Sequence, residues 1–252
     1  MRHPGTSEQK ARWIAKNEGW LANARENWRP RKVKPFTVRV WLSSPVAWGA
    51  DGVKLDGYLQ RLVVERETGY TADDVFAECP LGVDVDIPIP VADTVLAGMP
   101  IAKASWGIPP PIACEGIRWR RKRARPEVMS GDRLLIAGGA FKSHNIPVQT
   151  LVTPWLDFHL EGDQDAVRDL MGDAIAIGRG YSSGLGSILG VEYQPDPSRR
   201  SLVWQRKPMR VLPLEGLELE SPIVDERSTR APYWKGRGTV LCAVPVIALG
   251  EL

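Results

Sequence analysis

The sequence predicts an α+β protein: one antiparallel sheet backed by two helices, with a helical extension before it and extra strands after it. Three observations carry this. Four segments read as strands by alternation and β-propensity: Phe36–Leu42, Gly82–Pro90, Val152–Leu160 and Ser187–Tyr193. Two segments repeat apolar residues at helical spacing: about Lys54–Glu67 and Asp163–Ile177. Their order is strand, helix, strand, an insertion, strand, helix, strand, which is the βαββαβ plan of ferredoxin-like, or RRM-like, folds.

Taken in order, Ser7–Trp28 reads as a basic helix. Trp13, Trp20, Leu21, Ala24 and Trp28 fall near one face, able to dock on this domain, on a partner subunit or on RNA. Arg29–Pro35 follows as a proline-bounded basic linker. Phe36–Leu42 (FTVRVWL) alternates and is the first strand. After a loop with Pro45, Leu55, Tyr58, Leu59, Leu62 and Val63 give the first core helix. GVDVDIPIP (Gly82–Pro90) predicts the second strand, and Ala102–Trp106 a further short one. Gly107–Val148 reads as loop-rich. Leu156, Phe158 and Leu160 alternate in the third strand despite Pro154. Gly162 and Asp163 open the second core helix, with Asp163 as N-cap and Val167, Leu170, Met171, Ala174 and Ile175 on its apolar face. The expected division is an extension over residues 1–35 and one domain over 36–252. An insertion occupies about 90–150, and a C-terminal elaboration about 195–252, with strand character at Gly238–Ile247.

No apolar run approaches the roughly 20 residues of a membrane span. Met1–Pro35 lacks the apolar core of a secretory signal, so a cytoplasmic location without membrane contact is expected. Cys79, Cys114 and Cys242 are far apart and form no zinc-ligand pattern; buried free thiols are the simple reading. Asp84 and Asp86 alternate as an outward polar face, so no metal and no cofactor is expected.

Net charge is only +3, but it is unevenly placed. Arg118, Arg120, Arg121, Lys122, Arg123 and Arg125 stand in RWRRKRAR without an acid, and the first 35 residues hold nine basic residues against three acidic. Such clusters suit a polyanionic partner. Trp119, within the run, can stack on a base while arginines hold phosphates. The second cluster of interest is IGRGYSSGLGSILGVEY, in which Gly178, Gly180, Gly184 and Gly186 alternate with Arg179, Tyr181, Ser182 and Ser183. It follows a helix and precedes a strand, the reverse of a P-loop or dinucleotide fingerprint. Its backbone amides can form a nest for a phosphodiester. Lys142 and His144 lie in FKSHNIP. With Tyr181 they could activate a 2′-hydroxyl and stabilise a leaving oxygen, though a structural or RNA-contacting histidine is the simpler reading.

Several blocks, in this order, resemble the Cas5-like subunit of type IV CRISPR effector complexes, in the RAMP superfamily. They are LSSPVAW with KLDGYLQRLV, then PIPVAD, AKASWG, the basic segment and GAFKSHNIPVQ. GDQDAVRDLMGDAIAIGRGYSSGLGSILGVEY, PMRVLP and APYWKG complete the series. The resemblance covers most of Phe36–Val246; the extension to Pro35 departs from it. It implies a RAMP core and a non-catalytic subunit that caps the complex. Such a subunit holds the 5′ handle of the CRISPR RNA and joins the large subunit to the first backbone subunit. Gly178–Gly186 would contact the handle. Arg118–Arg125, Lys142 and His144 would lie in a thumb-like insertion near handle RNA or target DNA. Two alternatives stay open. One is a metal-independent endoribonuclease of the same superfamily, with His144, Lys142 and Tyr181 at its centre. The other is a structural assembly protein whose basic segment binds acidic protein surfaces.

Overall fold

The alternating segment FTVRVWL forms the middle of the main sheet. The computed structural model describes residues 6–48, 52–77, 79, 85–122, 144–180, 183–229 and 239–245. In chain order the elements are α1 (Ser7–Asn27), β1 (Lys34–Leu42), β2 (Val46–Ala47), α2 (Leu55–Thr68), α3 (Ala72–Ala77), β3 (Asp93–Leu96), β4 (Met99–Ala102), β5 (Cys114–Lys122), β6 (His144–Val152), β7 (Trp155–Gly162), α4 (Gln164–Met171), β8 (Ile188–Pro195), β9 (Val203–Trp204), β10 (Lys207–Pro208), β11 (Leu212–Pro213), β12 (Ile223–Arg227) and β13 (Val240–Val244).

The main sheet is antiparallel, in the order β7-β1-β8. Phe36, Val38 and Val40 pair with Leu160, Phe158 and Leu156, so six large side chains share one face. All six are essentially buried, in one core with Leu55, Leu59 and Val63 of α2 and Val167 and Leu170 of α4. At about 1.5–3 kcal/mol per large apolar side chain, this burial is the main favourable term. Arg66 of α2 clamps the two helices together: Nε donates to Asp173 Oδ2 at 2.9 Å, and a terminal nitrogen reaches Asp169. The protein is thus α+β, with antiparallel sheets and a helix at its N-terminal side.

The second strand differs from expectation. Residues 82–84 lie outside the described residues, and Val85–Ile89 enters no ladder. Val85, Ile87 and Ile89 are buried and Asp86 is exposed, so the alternation is real, but the chain runs only as an extended edge. Pro90 O accepts from Asp163 N, and Ala92 N donates to Glu161 O, so even-numbered residues here face β7. Pro88 and Pro90 have that parity and no N–H to give. The edge of β7 is instead lined by residues 103–108. Ser105 N donates to His159 O at 2.9 Å, and Ile108 and Asp157 exchange both backbone bonds at 2.8 and 2.9 Å. The expected short strand at Ala102–Trp106 therefore occupies the place intended for Gly82–Pro88.

The second core helix is shorter than expected. Asp163 caps it, accepting from Ala166 N, but it ends at Met171 and Gly162 belongs to β7. Ile175–Ile177 commits its backbone elsewhere: Ile177 N donates to Gly186 O and Ile188 N to Ile175 O. Ile175 is 78% exposed and is not on an apolar face.

The described parts of the insertion are more regular than a loop-rich reading allows. β3 and β4 form a hairpin across Ala97 and Gly98, both at positive φ. β5 and β6 pair over nine residues each, from Cys114↔Val152 to Lys122↔His144. The Val148–Leu160 stretch is divided between two sheets at Thr153–Pro154, since Pro154 cannot donate to a ladder.

α1 docks on its own chain. Trp13 stacks on Phe76 of α3 at 5.5 Å, and Trp28 Nε1 donates to Glu67 of α2 at 2.7 Å. C-terminal to β8, the β9–β10 hairpin and the β11-β13-β12 sheet are extra strands. Arg210 anchors them: its guanidinium, 1% exposed, donates to Asp56 at the start of α2, to the carbonyls of Ala102 and Ala104, and to Thr229 O.

Candidate nucleic-acid interface

The glycine-rich loop is a closed structure on a defined seat. Gly178, Gly180, Gly184 and Gly186 have φ of 84, 78, 74 and 68°. Each adopts the left-handed backbone that side chains resist, so the glycine count follows from the loop's own conformation. Its neck closes where Ile177 N meets Gly186 O at 2.8 Å. Leu185, 3% exposed, plugs the interior beside Gly180. Arg179 and Gly184 are exposed, while Tyr181 and Ser182 lie outside the described residues.

The seat is Ser43–Trp48. Gly186 N donates to Pro45 O and Ser43 N to Ser187 O, while Ser187 N donates to Ser44 Oγ, at 2.8–2.9 Å. The same segment carries the ribbon: Val46 pairs with Leu151, Ala47 with Thr150, and Trp48 N donates to Gln149 O at 2.8 Å. Loop and ribbon base therefore stand side by side. Between the seat and the base of the ribbon lies a groove of about 330 Å³, lined among others by Ser43, Ser44, Pro45, Cys114, Val152 and Thr153. Its apolar walls and hydroxyls suit a flat base more than a phosphate.

The basic run opens along β5. Arg118 is exposed and pairs with Val148; Trp119, 63% exposed, pairs with Pro147. Positions 118, 120 and 122 share one parity of the strand, and 117, 119 and 121 the other. Ile117, 66% exposed, thus accompanies Trp119. Arg120, Arg121 and Lys122 occupy strand positions in β5, and His144 the facing position opposite Lys122, as backbone placements. Arg123, Arg125 and Lys142 lie outside the described residues.

Other sequence candidates fall elsewhere. Cys114 is exposed at the start of β5, against the expectation of a buried thiol, because the ribbon has no covering layer there; Cys79 and Cys242 are buried. Among the described residues no cluster of His, Cys, Asp or Glu could hold a metal ion. No helix among them is long and apolar enough to cross a membrane. His159 is buried on the face of the sheet away from the helices. Its Nδ1 lies 3.0 Å from Asp196 and 2.9 Å from Thr37 Oγ1. Burial, helped by Arg200, outweighs the Asp196 carboxylate and pushes its pKa down to about 4. It is neutral at pH 7, and the contact is a hydrogen bond from Nδ1–H rather than an ion pair.

The segment that organises the site, Ser43–Trp48, reads from sequence only as a loop. The available signal is the short β-forming run around Pro45 facing another, VQTLV, before Pro154.

No family model matches this sequence, and no curated protein does. Among solved structures, the chain is similar to one in the cryo-EM structure of the Type III-B Cmr-beta bound to cognate target RNA. Identity is 9%, the TM-score is 0.32, and the match covers 76% of this chain and 69% of that one. At that score neither fold nor function is transferred.

Proposed function

We propose that this chain is a non-catalytic, RNA-binding subunit of a CRISPR effector complex. It holds the 5′ handle of the CRISPR RNA and contacts the large subunit and the first backbone subunit, with target DNA as a further ligand of the ribbon. The order of motifs resembling the type IV Cas5-like family motivates the assignment. The observation that carries it is the shared seat: the loop, built from left-handed glycines, and the basic ribbon both rest on Ser43–Trp48. In this reading the loop's Arg179 and backbone amides, and the cations and exposed tryptophan of the ribbon, engage the RNA from the two elements that this one segment carries.

The test is to co-express the full chain with a CRISPR array and its neighbouring subunits, then sequence the RNA it retains. Enrichment of repeat-derived 5′ ends is expected. Retention of unrelated RNA, or of none, would refute the assignment.

A further inference from the structure

The basic linker between α1 and β1 is not used by the site above. Arg29, Arg31, Lys32 and Lys34 are all exposed, and among the described residues none has a carboxylate partner. The linker is nevertheless held. Asp163 Oδ2 accepts from both Arg31 N and Lys32 N at 3.2 Å, and Lys34 begins the β1 ladder opposite Gly162. A second element joins it. Asp196 N donates to Pro35 O, bringing the 196–200 turn alongside. In that turn Arg199 adopts φ of 51°, with its side chain 67% exposed. A left-handed arginine is strained by about 1–2 kcal/mol, and such strain held at a surface points to use of the side chain.

The nearby acids are already engaged. Asp163 caps α4 and the linker, Glu161 takes Lys103 at 3.1 Å and Ser201 and only loosely, at 4.0 Å, the exposed Arg199, and Asp196 takes His159 and Arg200. Arg29 shares a pocket with the exposed Asp86 and Asp93, while Arg31, Lys32, Lys34 and Arg199 present positive charge to solvent. The strip has no apolar core of the kind protein interfaces carry, since Val33, 53% exposed, stands alone among its cations. That favours the phosphodiester chain of a nucleic acid over an acidic protein. Because the linker backbone is fixed in advance, binding costs little ordering entropy.

We propose that Arg29–Lys34, with Arg199, is a second phosphate-binding strip that grips single-stranded RNA. It lies at the end of the sheet opposite the glycine-rich loop. β1 separates the two sites by roughly 26 Å, at 3.3 Å per residue. The strip rests on the RNA-binding reading above, but on a different surface.

The experiment compares the full chain with the quadruple variant Arg29→Gln, Lys32→Gln, Lys34→Gln, Arg199→Gln and with the ribbon variant Arg118→Gln. Each is titrated with a fluorescent single-stranded RNA across a salt series, beside a thermal melt. The quadruple variant is expected to melt like the parent while its slope of log K against log salt falls by about 2–3, at about 0.7 per lost contact. An unchanged slope, with the ribbon variant still weakened, overturns the strip alone. No RNA binding by the parent chain overturns both readings. Should the quadruple variant melt early, RNA crosslinked to the parent is mapped instead. Crosslinks in peptide 29–35 support the strip, and their absence overturns it.

Discussion

Gly186 and Ile177 meet backbone to backbone at the neck of the glycine-rich loop, so closely that a Cβ on Gly186 would stand 1.9 Å from Ile177 O. Gly184, at a similar positive φ, has open space where its Cβ would be. The two glycines are therefore alike in conformation but not in sterics. Gly184→Ala should cost only the strain of left-handed backbone, about 1–2 kcal/mol. Gly186→Ala must also open the neck and should cost clearly more, with a correspondingly larger fall in Tm. Thermal melts of the two variants decide this; equal losses would contradict the closed neck.

Arg210 and Asp56 form a buried pair at 3.1 Å, with side chains 1% and 5% exposed. Removing one partner leaves a buried charge without its main counter-ion. Arg210→Met should therefore destabilise by about 3–5 kcal/mol. Arg210→Met with Asp56→Leu should lose less than the sum of the two single changes. Urea unfolding of the three variants measures the coupling, and strict additivity would show that the pair does not hold the C-terminal strands to α2.

His159 sets a pH dependence. Its pKa is near 6.5 in the unfolded chain and about 4 when folded. The unfolded state thus binds the extra proton between those values, and stability falls as pH drops from about 6.5 towards 4. The full effect is of order 3 kcal/mol, since each pKa unit corresponds to 1.36 kcal/mol. His159→Gln should lower stability at pH 7 by loss of packing and hydrogen bonding, yet flatten the profile between pH 6.5 and 4. Denaturant unfolding across that range checks the slope. An equally steep profile in the variant would place the titrating group elsewhere.

Elements that aim their large apolar side chains at one core were legible in the sequence. In FTVRVWL, the Leu55–Val63 spacing and the Trp13–Leu21–Ala24 face those side chains recur at a single period, even where, as in α2, the positions between them are buried too. The β5–β6 ribbon was not legible because both sides of Ile117–Trp119 and Pro147–Val148 are partly wet, which leaves no apolar alternation to read. The 82–90 segment misled for the opposite reason. Its alternation reports burial, whereas its prolines deny it a ladder. Of the site, the glycine loop and the basic run were visible as composition. Their shared seat was not, since contact between residues 43–48 and both 149–151 and 186–187 is long-range and has no local signature.

The ribbon and His144 separate RNA holding from RNA cutting. If the chain holds RNA, its basic run acts through charge. Replacing Arg118, Arg120, Arg121, Lys122, Arg123 and Arg125 by alanine should then weaken RNA affinity and reduce the salt slope by up to about 4, at about 0.7 per phosphate contact. His144→Ala should leave processing of precursor RNA intact in a reconstituted system, because no proton transfer is asked of it. A metal-independent nuclease would behave otherwise: loss of its general base or acid typically lowers the rate about 10²–10⁴-fold while affinity changes little. The measurement is cleavage of a labelled repeat RNA by the purified chain, with and without a chelator, beside the binding curve of each variant. Chelator-resistant cleavage that His144→Ala abolishes would replace the holding subunit with the nuclease.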